Sequence, residues 1–252
     1  GVTHRTSWAD RSWGDSLLDF WDDFTRDGKL DDRDPGAQQG PVGSLCVSLD
    51  VPAKAERQVT FLLGWHFPNR LSWSAPTARI GNYYTTRHPD AFAAVDELAS
   101  RLPDLERRTT AFVSGFLAAS LPDVVKEAAL FNLSTLRSQT CFRTEDGHFF
   151  GWEGCHPHEG SCHGSCTHVW NYEAALPALF GPIARDQRVL EFEHATDDRG
   201  LMSFRINLPL AHAREQAHAA ADGQMGCVVR LYREYRTSAD ADFLRRLYPA
   251  MK

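Results

Sequence analysis

Residues 149–173 read FFGWEGCHPHEGSCHGSCTHVWNYE, a stretch crowded with Trp, His, Cys and Gly that runs into a helical pattern. Rings, imidazoles, thiols and carboxylates gathered in one irregular segment need a rigid scaffold beside a cavity, and such loops usually carry function. The segment is therefore expected to form the rim of a binding pocket. Thr167 is placed to cap a helix over 168–179. Gly181-Pro182 breaks it before another helix over 183–194, giving a helical hairpin.

Downstream, Asp197-Asp198-Arg199-Gly200 is a turn signal, and 201–210 alternates like a strand pair or an extended arm. Ala221 to Gln224 introduce a helix over 225–236, and Phe243, Leu244, Leu247 and Tyr248 mark a last one. Upstream, Phe92, Val95, Leu98, Leu102 and Leu105 predict a helix to Arg101, interrupted at Pro103 and resumed through Phe112 and Phe116. Ser120 and Pro122 form a start signal for a helix over 123–138 whose apolar residues spread round more than one face, so that it should be covered on two sides. Asn132-Leu133-Ser134 matches a glycosylation acceptor but falls inside that helix and is set aside.

The first 85 residues have a different period. Leu17, Leu18, Trp21 and Phe24 share a helical face, with Gly28 where a C-cap glycine belongs. Leu45, Val47, Leu49 and Val51, then Val59, Phe61, Leu63, Trp65 and Phe67, alternate as two neighbouring strands with one buried face each. Two strands alone are marginal, so a larger sheet is expected to begin upstream. With Gly at its start and a helical pattern still running at Lys252, the chain is expected to be part of a longer one. A strand-rich start followed by helix pairs suits an α/α toroid behind a β domain better than a βαβ sheet. The loops over 141–167 and 195–223 should then open on one face.

Composition sets limits. The 252 residues are 42% hydrophobic and 11% aromatic, enough to fill a core. A net charge of −6 without a basic run argues against nucleic acid as the main partner. No apolar run reaches 18 residues and no leader pattern is present, so no transmembrane segment is predicted and a cytoplasmic location is expected.

Several chemistries compete for the central loop. Cys155, Cys162 and Cys166 with His156, His158, His163 and His168 offer zinc ligands, but their spacing fits no common knuckle. A disulfide within the loop suits an exported protein, whereas small buried thiols account for the six cysteines, Cys46, Cys141 and Cys227 included, without further assumptions. Cys/His nucleophilic catalysis lacks a recognisable elbow. Carbohydrate is the third possibility. Trp152, Trp170 and Tyr172 offer flat faces for sugar rings, and Glu153, His168, Asn171, Asp222 and Gln224 offer groups that bind hydroxyls. Against that stand simpler roles: core packing for Trp170 and Tyr172, backbone amide contacts for Glu153, helix capping for Asp222 and Gln224.

The segments GWEGC (151–155), GSCTHVWNYE (164–173), LEFEHATDDRGLMSFRINLP (190–209) and 221–252, beginning ADGQMG, carry a resemblance. They resemble the catalytic region of glycoside hydrolase family 116, which includes non-lysosomal glucosylceramidases and bacterial and archaeal β-glucosidases. LCVSLDVPAKAERQVTFLLGWHFPN (45–69) resembles the last strands of that family's N-terminal β-sandwich. The resemblance implies a mainly α chain: the end of a β-sandwich over residues 1–85, then linker helices and the first third of an (α/α)6 toroid over 86–252. It also implies retaining hydrolysis of β-glucosides or β-xylosides without a cofactor, on a carbohydrate or glycolipid substrate. In that family the nucleophilic glutamate and the acid/base aspartate lie beyond the position matching Lys252, so no catalytic residue carries over and the chain alone is expected to be inactive. Glu153, His168, Trp170, Asn171, Asp222 and Gln224 carry over as substrate-pocket candidates. The alternative is a non-catalytic zinc- or glycan-binding module.

Overall fold

The computed structural model of the chain describes residues 1–155, 160–170, 175–216 and 218–252. It divides into two compact units, Gly1–Leu62 and Leu63–Lys252.

In the first unit, strand β1 (Val2–Arg5) precedes helix α1 (Asp15–Asp27), and β1 pairs antiparallel with β2 (Ser44–Val47) in the register Val2 to Val47 and Arg5 to Ser44. The helix ends as its sequence predicts. Gly28 adopts φ 73°, and its N–H donates to the Phe24 carbonyl at 2.8 Å. Its packing face is not the apolar one. Leu17, Leu18 and Trp21 are more than half exposed. Trp8 stacks on Phe20 at 4.7 Å, and the buried Arg5 guanidinium reaches Asp19 and Asp23 at 3.2 Å each. A cation buried against two carboxylates fixes the helix by paired charge and hydrogen bonds.

The partner of β2 is thus β1, not the alternating run over 59–67. That run forms no ladder, and Phe61, Leu63, Trp65 and Phe67 are each at least 58% exposed. Alternation specifies which side chains share a face, but a strand also needs a neighbour for its amides.

The second unit is mainly helical. Asp90 caps helix α2 (Ala91–Leu117) by accepting from Ala93 N at 2.8 Å. The helix runs through Pro103 instead of stopping there. Helix α3 (Asp123–Thr135) follows, and Val124, Val125 and Phe131 are exposed, so its second face is not covered. Hairpin β3 (Cys141–Arg143) and β4 (Phe149–Gly151) comes next, then the two-residue pair β5 (Gly154–Cys155) and β6 (Gly160–Ser161). Helices α4 (Thr167–Trp170), α5 (Ala175–Leu179) and α6 (Gly181–Val189) lead into a π-helical turn over Leu190–His194. After an extended arm, α7 (Ala221–Ser238) and α8 (Ala241–Met251) complete the unit.

Among the described residues, three apolar clusters hold these elements. Phe192, Met202, Cys227, Leu231, Phe243 and Leu247 join the π-turn to α7 and α8. Phe150, Leu190, Ile206 and Leu208 join β4 to the extended arm, and Phe149, Trp170, Leu176 and Ala184 join β4 to α4, α5 and α6. Between α6 and α7 lies a buried charge network. Arg188 donates to both oxygens of Glu191 at 2.7 and 2.5 Å, while Arg230 reaches Glu191 at 3.4 Å and the Gln187 side-chain oxygen at 2.8 Å. Burial alone would raise the Glu191 pKa, but the two guanidinium groups outweigh it and hold the carboxyl below its ordinary value. Burial and the neighbouring Arg188 bring Arg230 down to about 10.

Candidate functional site

The central loop is zipped to the extended arm. Gly164 has φ 67°, and a methyl group there would lie 2.1 Å from the Ile206 carbonyl oxygen, so only glycine permits this approach. Ile206 N donates to Gly164 O at 3.0 Å and Thr167 N to Phe204 O at 3.1 Å, while Phe204 N donates to His218 O at 3.0 Å. Ser165 ties the same loop to β4: its N–H donates to Gly151 O at 2.9 Å, and its hydroxyl accepts from Gly151 N at 3.0 Å. Residues 164–167 of the central loop therefore lie directly against residues 204–206 of the arm.

Helices α4 and α7 start against each other. A methyl at Gly223 would be 2.4 Å from Thr167 Oγ1 and 2.9 Å from His168 N. This close contact lets Asp222 Oδ2 accept a hydrogen bond from His168 Nδ1 at 2.5 Å, with both side chains about half exposed. The imidazole hydrogen bond holds the Asp222 carboxyl below its ordinary pKa.

The other candidates have different surroundings. Gln224 spends its amide on the arm, accepting from Met202 N at 3.1 Å and donating to Gly200 O at 2.5 Å. Trp170 is buried, edge-on to Phe149 at 6.0 Å, and lies so close over Gly151 that a methyl there would be 1.6 Å from the ring. Glu153 is exposed; its N–H donates to Ser161 O at 3.0 Å and its carboxylate takes the Cys162 thiol, a bond that raises the thiol pKa. Asn171, like Tyr172, His156 and His158, lies outside the described residues.

The structure adds residues that the sequence did not single out. Trp73 packs edge-on against Phe150 at 5.4 Å and Trp152 at 5.8 Å, and lies 6.2 Å from the His163 ring. Its indole N–H donates to Ile206 O at 3.1 Å, while the hydroxyls of Ser72 and Ser74 donate to Leu208 O at 2.7 and 3.0 Å. Beside it opens a hollow of about 460 Å³ lined by Trp73, Ser74, His163, Asn207, Glu215, Gln216 and His218. Burial, aided by the nearby Arg205, lowers the His163 pKa, so its ring is a neutral donor and acceptor. An aromatic face beside amides, imidazoles and a carboxylate suits a polyhydroxylated ligand. Glu153, His168, Trp170, Asp222 and Gln224 do not line this hollow. The signal for it was Trp73 itself, a large ring within the turn-forming LSWSAPT.

Among the described residues, no cluster of three or more His, Cys, Asp or Glu side chains could hold a metal ion. Cys162 and Cys166 carry free thiols. Nor, among the described residues, is any helix long and apolar enough to cross a membrane.

Residues 1–105 match the family model described as beta-glucosidase 2, glycosyl-hydrolase family 116 N-term. No curated protein matches the chain at significance.

Proposed function

We propose, with the match of residues 1–105 to glycosyl-hydrolase family 116 as the premise, that the chain is a segment of a retaining β-glycosidase acting on β-glucosides, in oligosaccharides or glycolipids. That match is the observation that carries the reading. In it, α4 to α8 are the first hairpins of an (α/α)6 toroid, and the loops over 160–168, 203–207 and 215–224 face the sugar. His168 and Asp222 are hydroxyl-binding candidates together with Glu153 and Asn171, while Trp170 and Gln224 hold the loops that present them. The hollow beside Trp73 supports a sugar-binding role for this unit, because its lining has the stacking surface and polar groups that sugar rings use.

Retention requires two carboxyl groups roughly 5 to 5.5 Å apart, and the nucleophile and the acid/base are proposed to belong to residues that follow Lys252. The 252-residue segment is then inactive alone. A cytoplasmic location belongs to the same proposal, supported by the free thiols of Cys46, Cys162, Cys166 and Cys227, which suit a reducing compartment.

The test is to express the chain with whatever its reading frame adds downstream and to follow aryl β-glucoside hydrolysis by NMR. Release of the β-anomer first by the extended protein, with none from residues 1–252, supports the reading. Inversion, or a folded extended protein with no turnover, rejects it. In the extended protein His168→Ala should lower turnover without unfolding; unchanged kinetics removes His168 from the pocket.

A further inference from the structure

A second, larger concavity in the Leu63–Lys252 unit plays no part in the reading above. It is a cleft of about 1110 Å³ between the 65–71 segment, the turn at Tyr83 and Tyr84, and the β3–β4 hairpin. Its walls carry Trp65, Tyr83 and Trp152 as ring surfaces, and three arginines, Arg70, Arg137 and Arg143. Among the described residues no Asp or Glu lines it, whereas the chain as a whole has a net charge of −6.

The arginines are arranged to present N–H edges. Arg143 lies flat over the Tyr83 ring at 3.9 Å and uses Nε on Gly147 O at 2.9 Å, and Arg70 lies over Phe142 at 4.1 Å with Nε donating to the Asn82 side chain at 2.8 Å. Stacked in this way, Arg143 keeps its remaining edge for a planar anion. Arg137 also lines the cleft and is exposed. The acids of the adjoining turn are already engaged: Glu145 pairs with Arg79 at 2.7 Å, and Asp146 accepts from the Thr144 hydroxyl at 2.5 Å and from His148 N at 3.2 Å.

We infer that this cleft binds an acidic oligosaccharide, its sugar rings lying on the aromatic walls and its carboxylates meeting Arg137 and Arg143. Concavity favours a chain lying lengthwise in preference to a flat bilayer surface, and the volume, just above the roughly 300–1,000 Å³ typical of small-molecule sites, favours several rings over one. Positive walls on an acidic protein supply the charge complementarity. The inference does not depend on the glycosidase reading.

Calorimetric titration of the 252-residue chain with tetragalacturonate, cellotetraose and phosphatidylserine vesicles tests it. Tetragalacturonate should bind roughly tenfold or more tightly than the neutral cellotetraose, and Arg137→Gln and Arg143→Gln should each cost about tenfold, the worth of one charge-assisted hydrogen bond. Arg137 is exposed and lies outside every buried cluster, so its variant remains folded and decisive even where Arg143→Gln perturbs the hairpin. Equal affinity for the two tetrasaccharides, binding of vesicles alone, no binding by folded protein, or an Arg137→Gln variant that binds like the parent would each overturn the inference.

Discussion

Asp222, at the start of α7, accepts a hydrogen bond from the Nδ1 of His168 in α4, 54 positions earlier in the chain, at 2.5 Å. The bond lowers the Asp222 pKa, so its stabilising effect is complete above the unfolded-state value and is lost as pH falls through the depressed folded value. Replacing His168 by Ala should therefore move the Asp222 carboxyl titration upward. Carbon-detected NMR across acidic pH reads this directly, and an unmoved Asp222 would show that the pair does not exist in solution.

Gly223 and Gly115 make a matched pair of substitutions with opposite outcomes. A methyl at Gly223 meets Thr167 and the His168 backbone, whereas nothing lies within 4 Å of one at Gly115 on α2. Gly223→Ala should cost about 1–3 kcal/mol, the usual range for overpacking against groups that cannot yield. Gly115→Ala should stabilise by about 0.5–1 kcal/mol through backbone entropy. Urea midpoints at constant slope are the measurement.

Two neighbouring glutamates should differ sharply. Glu191 is buried between Arg188 and Arg230, and its removal strands two guanidinium groups away from water, so Glu191→Ala should cost about 3–5 kcal/mol. Glu193 pairs with Arg246 at 2.5 Å near the surface, and Glu193→Ala should stay within about 1 kcal/mol. Comparable losses at both sites would contradict the burial difference.

The His148 ring sits 2.8 Å from an Asp186 carboxylate oxygen, and this hydrogen bond raises its pKa above the ordinary 6.5 despite partial burial. The folded state then binds the proton more tightly than the unfolded chain. The pair's contribution is full below pH about 6.5 and fades as pH rises through the elevated value. The stability gap between the parent and His148→Gln should accordingly be widest in mild acid and narrow towards alkaline pH. A gap that widens with rising pH would reverse the assignment.

Helix signals were legible where apolar period and punctuation agreed. Gly28 stops α1, Gly181-Pro182 separates α5 from α6, and the apolar residues of 243–248 lie within α8. Period alone misled where partners decide the outcome. The 59–67 run alternates strongly yet finds no ladder, whereas the four residues of β1, with no alternation to notice, pair with β2. Pro103 marks a break in the sequence, but α2 runs through it. In the site, the sequence pointed to His168 and Asp222, which meet. It could not show that Gln224 would be used up on the arm or that Trp73, about 90 residues from His163, would lie beside it, because tertiary proximity of this kind leaves no local pattern.

Gly151 lies under Trp170 and Gly160 under Trp152 so tightly that a methyl at either would be within 1.6 Å of indole carbon. Each ring thus rests on bare peptide, and its tilt is set by the absence of a side chain below it. Redesign of these two contacts cannot proceed one position at a time. Enlarging a glycine ejects its ring, and shrinking a ring opens a slot down to the backbone, so ring and glycine have to be changed together.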